Sequence, residues 1–187
     1  MPALFLALLT SVMAMTGGRS ALLTARLSGA LGGSVALLAA CWLTAIASSA
    51  LAAWAGSLLA PTMPPAGKTM FAAAALALAS IELLFARVRA APAEPTRSLG
   101  AIVLVLAAGQ ATDAARFLVL AIAVATGVPL LAAAGGALGS GAVLTAAWAL
   151  GAEWETRLPL RAIRLGGAGL FAFAAIVIAL VARGVFG

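Results

Sequence analysis

The sequence has no histidine, a single cysteine, and only 9% charged residues, five of them acidic. With no histidine and Cys41 alone, a Cys/His zinc cluster, a haem-type histidine ligand and an internal disulfide are all excluded. Also missing are a nucleophile–base pair and a phosphate-binding glycine loop followed by lysine. No enzyme and no cofactor is therefore expected. Charge this sparse excludes an ordinary soluble domain, which carries about a quarter charged residues. What the chain does have is apolar: 65% hydrophobic residues and a mean hydropathy of +1.19. That composition predicts an all-α, multi-pass membrane protein whose first partner is the lipid bilayer. The formal charge of +6 comes from arginines near predicted helix ends, so it reads as membrane topology and not as a nucleic-acid footprint. Cys41, flanked by Ala40 and Trp42, is expected to be a small buried apolar residue.

The chain repeats itself at an offset of 95 residues: Gly32 recurs as Gly127, Gly56 as Gly151 and Pro64 as Pro159. Each copy has room for three hydrophobic helices, predicted at about Leu4–Thr24, Gly33–Leu59, Thr69–Phe85, Leu99–Ala125, Leu130–Leu150 and Ala162–Val181. Three spans per copy, an odd number, predict that the second copy enters the bilayer upside down. Residues 1–88 would form one repeat and 98–187 the other, joined by a polar linker at 89–97. Inverted repeats are the architecture of secondary transporters, with the site at the repeat interface. Alanine and glycine dominate, so close helix packing is expected, notably at Gly135-Gly136 and at Gly139 and Gly141. Trp54, Trp148 and Trp154 near span ends read as interfacial anchors. The first arginine is Arg19, so the N-terminal apolar run has no basic leader and reads as an uncleaved first helix.

Orientation follows from the arginines. Connections after the first, third and fifth spans carry Arg26, then Arg87, Arg89 and Arg97, then Arg157, Arg161 and Arg164, whereas the opposite side has Lys68 and Arg183. The basic side is expected to be cytoplasmic, placing both termini in the periplasm of a bacterial inner membrane.

Charges inside a span are functional candidates, because burying them is costly. Arg19, Asp113 and Arg116 are the three that stand out. Their surroundings align at the same offset: Met15-Thr16-Gly17-Gly18-Arg19-Ser20 with Gln110-Ala111-Thr112-Asp113-Ala114-Ala115. Gly17-Gly18 is expected to weaken its helix and free backbone carbonyls. A continuous fourth helix would place Gln110, Asp113 and Arg116 on one face. Two readings stay open: a polar ion site where the first and fourth helices cross, or an Asp113–Arg116 ion pair that locks the bundle.

On these residues the chain resembles the manganese/calcium–proton exchangers, the family of the Golgi manganese transporter and of bacterial and chloroplast manganese exporters. That family has two inverted three-helix repeats, each marked by Glu-x-Gly-Asp-Lys/Arg-Ser/Thr in its first helix. The resemblance spans nearly the whole chain and is best over Ala14 to Thr24, Phe117 to Ala125, and from Gly151 through Pro159 into the last helix. It implies cation/proton exchange at paired acidic motifs, and it places Gly17, Gly18, Arg19, Ser20, Gln110, Thr112, Asp113 and Arg116 at the ion site, with Asp113 as the metal-binding carboxylate.

The motifs are degenerate. Met15 and Gly18 stand where the first motif has Glu and Asp; Gln110, Thr112, Ala114 and Ala115 replace Glu, Gly, the basic residue and the hydroxyl residue of the second. Asp113 alone remains of four carboxylates, and with Arg19 and Arg116 it leaves a net positive site. A hard dication needs several oxygens and balancing acids, so binding in the family manner is expected to be impaired. Ser11, Thr16, Ser20, Gln110 and Thr112 offer neutral oxygens for a monovalent cation or a proton. Glu82 is expected to snorkel to the interface, and Glu153 and Glu155 to be solvated. Two functions follow: a divergent secondary transporter with Asp113 as its one intramembrane acid, or a transport-inactive scaffold. The scaffold would serve a membrane-protein partner or a homo-oligomer, with Arg19 pairing Asp113.

Overall fold

The computed structural model describes residues 1–85 and 98–184. The predicted linker 89–97, with Arg87, Arg89 and Arg97, lies outside the described residues. Among those described, the chain is all-helical. The helices are α1 (Pro2–Thr16), α2 (Arg19–Leu31), α3 (Val35–Leu59), α4 (Pro65–Phe85), α5 (Leu99–Ala111), α6 (Ala114–Thr126), α7 (Pro129–Leu150), α8 (Trp154–Arg157) and α9 (Leu160–Ala182).

Four helices, α3, α4, α7 and α9, are long and apolar enough to cross a membrane; about 20 residues suffice for a span. The count becomes six if each of two bent pairs is one span: α1 with α2, bent by 61°, and α5 with α6, bent by 54°. These lengths and compositions are those of a multi-pass membrane protein. The predicted second, fifth and sixth spans match α3, α7 and α9 to within two residues, and the third begins earlier, at Pro65. The first and fourth were expected as single helices and are broken instead.

Much of the 95-residue correspondence is visible in the backbone. The break at Gly17-Gly18 has φ/ψ of −88°/−6° and −77°/165°. The break at Thr112-Asp113 has −100°/5° and −78°/143°. The helix breaks at Gly17-Gly18, as expected, although none of these conformations requires glycine, and Thr-Asp makes a similar bend. Gly32 and Gly127 end α2 and α6 in the left-handed region at φ 64° and 67°, and Pro64 and Pro159 immediately precede α4 and α9. Gly56 and Gly151 are not equivalent. Gly56 lies within α3, where an added Cβ would meet Ala123 and the Leu120 carbonyl of α6 at 2.8 Å; Gly151 ends α7 at φ 49°.

Helix α3 runs antiparallel to α7, and α4 to α9. Ser80 of α4 donates to the Ala168 carbonyl of α9 at 2.8 Å, while Leu83 lies against Gly167. The start of α3 meets the end of α7, where Trp148 donates to the Ser34 carbonyl at 3.0 Å. The start of α5 lies in a cleft beside the end of α2, lined by Ala30, Leu31, Ser34, Leu99 and Ile102. Ser28 on the Trp148 carbonyl at 2.6 Å and Arg26 on Glu155 at 2.8 Å tie down the same end. Glu155 is thus paired and not merely solvated, whereas Glu153 forms an exposed pair with Arg157 at 2.8 Å. Arg26 and Arg164 lie on α2 and α9, not in the connections.

The core draws on every helix and mixes alanines with larger side chains such as Met15, Leu37, Leu83, Ile102, Leu144 and Phe171. The glycine cluster of α7 seats its neighbours: Gly135 and Gly139 receive Leu4 and Leu8 of α1, and Gly141 receives the ring of Trp42. Cys41 is fully buried, as expected. Trp154 is 3% exposed and belongs to the core, so it is no interfacial anchor; Trp54 alone of the three faces outward.

The cap glycines give a clean test. A Cβ at Gly127 would meet nothing within 4 Å, so Gly127→Ala should cost only the left-handed backbone penalty, about 1 kcal/mol. Gly166, helical and equally open, should gain up to about 1 kcal/mol as alanine. Thermal unfolding in detergent should show the two shifts with opposite sign.

Candidate functional site

The two breaks meet. At the first, α1 ends and the chain turns at Gly18, whose own amide bonds back to Met15 at 2.9 Å. The Gly17 carbonyl, released from the helix ladder, accepts from Arg164 Nε of α9 at 2.8 Å. Space explains both glycines. A Cβ at Gly17 would lie 2.8 Å from the Arg164 side chain, and one at Gly18 would lie 3.1 and 3.2 Å from the Ala14 and Met15 carbonyl oxygens.

At the second break Asp113 is the N-cap of α6, and its Oδ1 accepts from the Ala115 amide at 3.2 Å. A short acidic side chain that can bond the backbone two residues on favours ending one helix and starting another. This is why the continuous fourth helix is not formed. Oδ2 of the same carboxylate accepts from the Ser20 hydroxyl of α2 at 3.2 Å. Asp113 is 3% exposed and sits where the N-terminal ends of α2 and α6 converge. Their dipoles both favour negative charge there.

Arg116, also 3% exposed, is the second half of the site. It makes no ion pair with Asp113. Its guanidinium donates to Ser49 of α3, to Ser140 of α7 at 2.9 Å and to Gln110 Oε1 of α5 at 3.2 Å. Gln110 in turn donates to Thr44 at 2.7 Å and accepts from Ser48 at 3.4 Å. The helix break, which removes the shared face predicted for Gln110, Asp113 and Arg116, still leaves Gln110 within reach of Arg116 across a 54° bend. Arg116 Nε and the Ser11 hydroxyl are buried without hydrogen-bond partners.

Two predicted site residues are not in the cluster. Arg19 is exposed and makes no ion pair with Asp113. Successive side chains on a helix diverge by about 100°, so burying Ser20 at the crossing turns Arg19 outward. Thr112 is also exposed, and its hydroxyl bonds back to Ala108 at 3.1 Å.

Sequence reasoning missed Thr44, Ser48, Ser49 and Ser140, whose single hydroxyls in apolar helices carry no signal until the helices are packed. Glu82 was expected to snorkel to the interface. This α4 residue is half-buried, three residues before the end of its helix at Phe85. Among the described residues, no three Cys, His, Asp or Glu side chains gather as a metal cluster. Comparison of the chain with protein-family models, with curated proteins and with solved structures found no match.

Proposed function

We propose that the chain is a divergent cation/proton secondary transporter of the manganese/calcium–proton exchanger type, built from two inverted three-helix repeats. One observation carries this reading: two helix breaks, 95 residues apart in sequence and alike in backbone, cross at a buried carboxylate. Broken helices at a repeat interface are how transporters bring backbone dipoles and side chains to an ion within a bilayer. The antiparallel course of corresponding helices supports the inversion. A bacterial inner-membrane location with periplasmic termini follows from the arginines at the opposite end of the bundle.

In this mechanism Asp113 holds a proton or cation, Ser20 and backbone groups at the breaks supply neutral oxygens, and Arg116 is a fixed internal cation. Motion of one repeat against the other would expose Asp113 to each side in turn. A scaffold reading is favoured by one fact: both Asp113 oxygens are already engaged internally. Manganese-driven proton movement in liposomes discriminates the two. For the transporter, wild-type flux should fall to background in Asp113→Asn while the variant stays folded. A scaffold would show no flux in wild type and a loss of stability in the variant.

A further inference from the structure

Hydrogen bonding around Arg116 is one-sided. A guanidinium donates and never accepts, so Ser49 and Ser140 can only accept from it, and each keeps a hydroxyl proton to donate. Serine and threonine in a helix commonly donate that proton to a carbonyl one turn back. Ser48 does so to the Thr44 carbonyl at 2.6 Å, and Thr145 to the Gly141 carbonyl at 2.7 Å. Among the described residues, Ser49 and Ser140 donate to nothing. Arg116 Nε and the Ser11 hydroxyl are equally without acceptors.

These four donors gather at one turn of α7. Ser11, Ser49 and Ser140 are fully buried. Gly136 and Gly139 lie one turn and one residue before Ser140. A Cβ at Gly136 would lie 3.3 Å from Ser49 Oγ of α3, and one at Gly139 would lie 3.1 Å from Ser11 Cβ of α1. Val119, one turn beyond Arg116 on α6, also packs on Gly136. Nearby acceptors are already used. Gln110 Oε1 takes bonds from Ser48 and Arg116, and the Asp113 oxygens take theirs from Ala115 and Ser20.

We propose that Arg116, Ser11, Ser49 and Ser140 form a binding site for a small monovalent anion of the halide class, such as chloride. Charge sets the valence: a buried guanidinium without a paired carboxylate is balanced by one negative charge. The donor set fixes the sign. A cation would be repelled by Arg116, and a water would have to donate as well as accept, where the free groups only donate. A halide accepts from every direction. Full burial of the three serines suits a compact sphere over a tetrahedral oxyanion.

The site does not depend on the transporter reading and is tested without flux. Protein purified in gluconate should unfold about 3 °C or more higher when chloride replaces gluconate at constant ionic strength. Sulfate should not reproduce the shift. Arg116→Met would lose stability for other reasons, so Ser11→Ala is the sharper variant. If Ser11 donates to the anion, alanine should weaken chloride binding about tenfold and move the chloride titration accordingly. A chloride response unchanged in a folded Ser11→Ala would overturn the proposal. Equal midpoints in chloride and gluconate would do the same. In crystals grown with bromide, the anomalous signal should lie beside Arg116 Nε; bromide at the surface alone, an adventitious ion only, would refute the site.

Discussion

Arg116→Met is expected to destabilise the protein by about 3 kcal/mol, the larger part of it from the acceptors left behind. Methionine fills much of the volume but donates nothing. Ser49, Ser140 and Gln110 each lose a donor in a bundle that is closed to water at that depth. A buried acceptor left unpaired costs about 1–3 kcal/mol, although membrane proteins recover part of this because their unfolded states find partners too. Asp113 also loses its nearest internal cation, and stranding a buried charge adds to the cost. Arg116→Lys separates the two contributions. It keeps the charge, but one ammonium cannot fork to acceptors on α3, α5 and α7. If hydrogen bonding dominates, Lys should recover less than half of the loss; if charge dominates, it should recover most. Unfolding of the reconstituted or detergent-bound protein, read by tryptophan fluorescence, measures both. A fully stable Arg116→Met variant would show that the network contributes nothing to the fold.

The second large effect is steric. Gly139→Val should cost about 3 kcal/mol or force α1 away from α7. A Cβ at Gly139 would lie 2.5 Å from the Leu8 carbonyl oxygen, a backbone atom that can move only with its helix. Overpacking of a close core costs about 1–3 kcal/mol, occasionally more, and the two further methyl groups of valine have no lower-energy direction. Gly139→Ala should fall between wild type and valine. Because α1 leads directly into the break at Gly17-Gly18, displacing it should also disturb the Ser20–Asp113 contact. With aspartate labelled at Cγ, which reports Asp113 because the chain has no other aspartate, the valine variant should therefore alter the carboxyl signal as well as stability. Gly169→Val, on α9 with nothing within 4 Å of its Cβ position, controls for the general effect of valine in a helix.

These expectations differ in how far they were legible before folding. Gly139 was readable: four glycines within seven residues of an apolar run can only mean close approach. Gly32 and Gly127 were readable as a repeated pair, and their shared left-handed caps follow from their chemistry. Asp113 stood out because a lone acid in an apolar stretch has few bland explanations. Arg116 was noticed for the same reason but given the wrong partner. The expected ion pair assumed one continuous helix, and Asp113 capping the next helix removes that register.

Sequence by itself determined the membrane character and the four unbroken spans, because these depend on composition, length and local backbone preference. Tertiary structure alone decided which polar groups meet. Whether Ser20 or Arg19 faces the crossing turns on the rotation of α2 after a 61° bend. Whether Arg116 meets Asp113 or Gln110 turns on the 54° bend between α5 and α6. Both angles are set by small side chains packing between helices far apart in the chain. A residue pattern specifies a helix face, but which neighbour that face meets depends on the packing of every other helix.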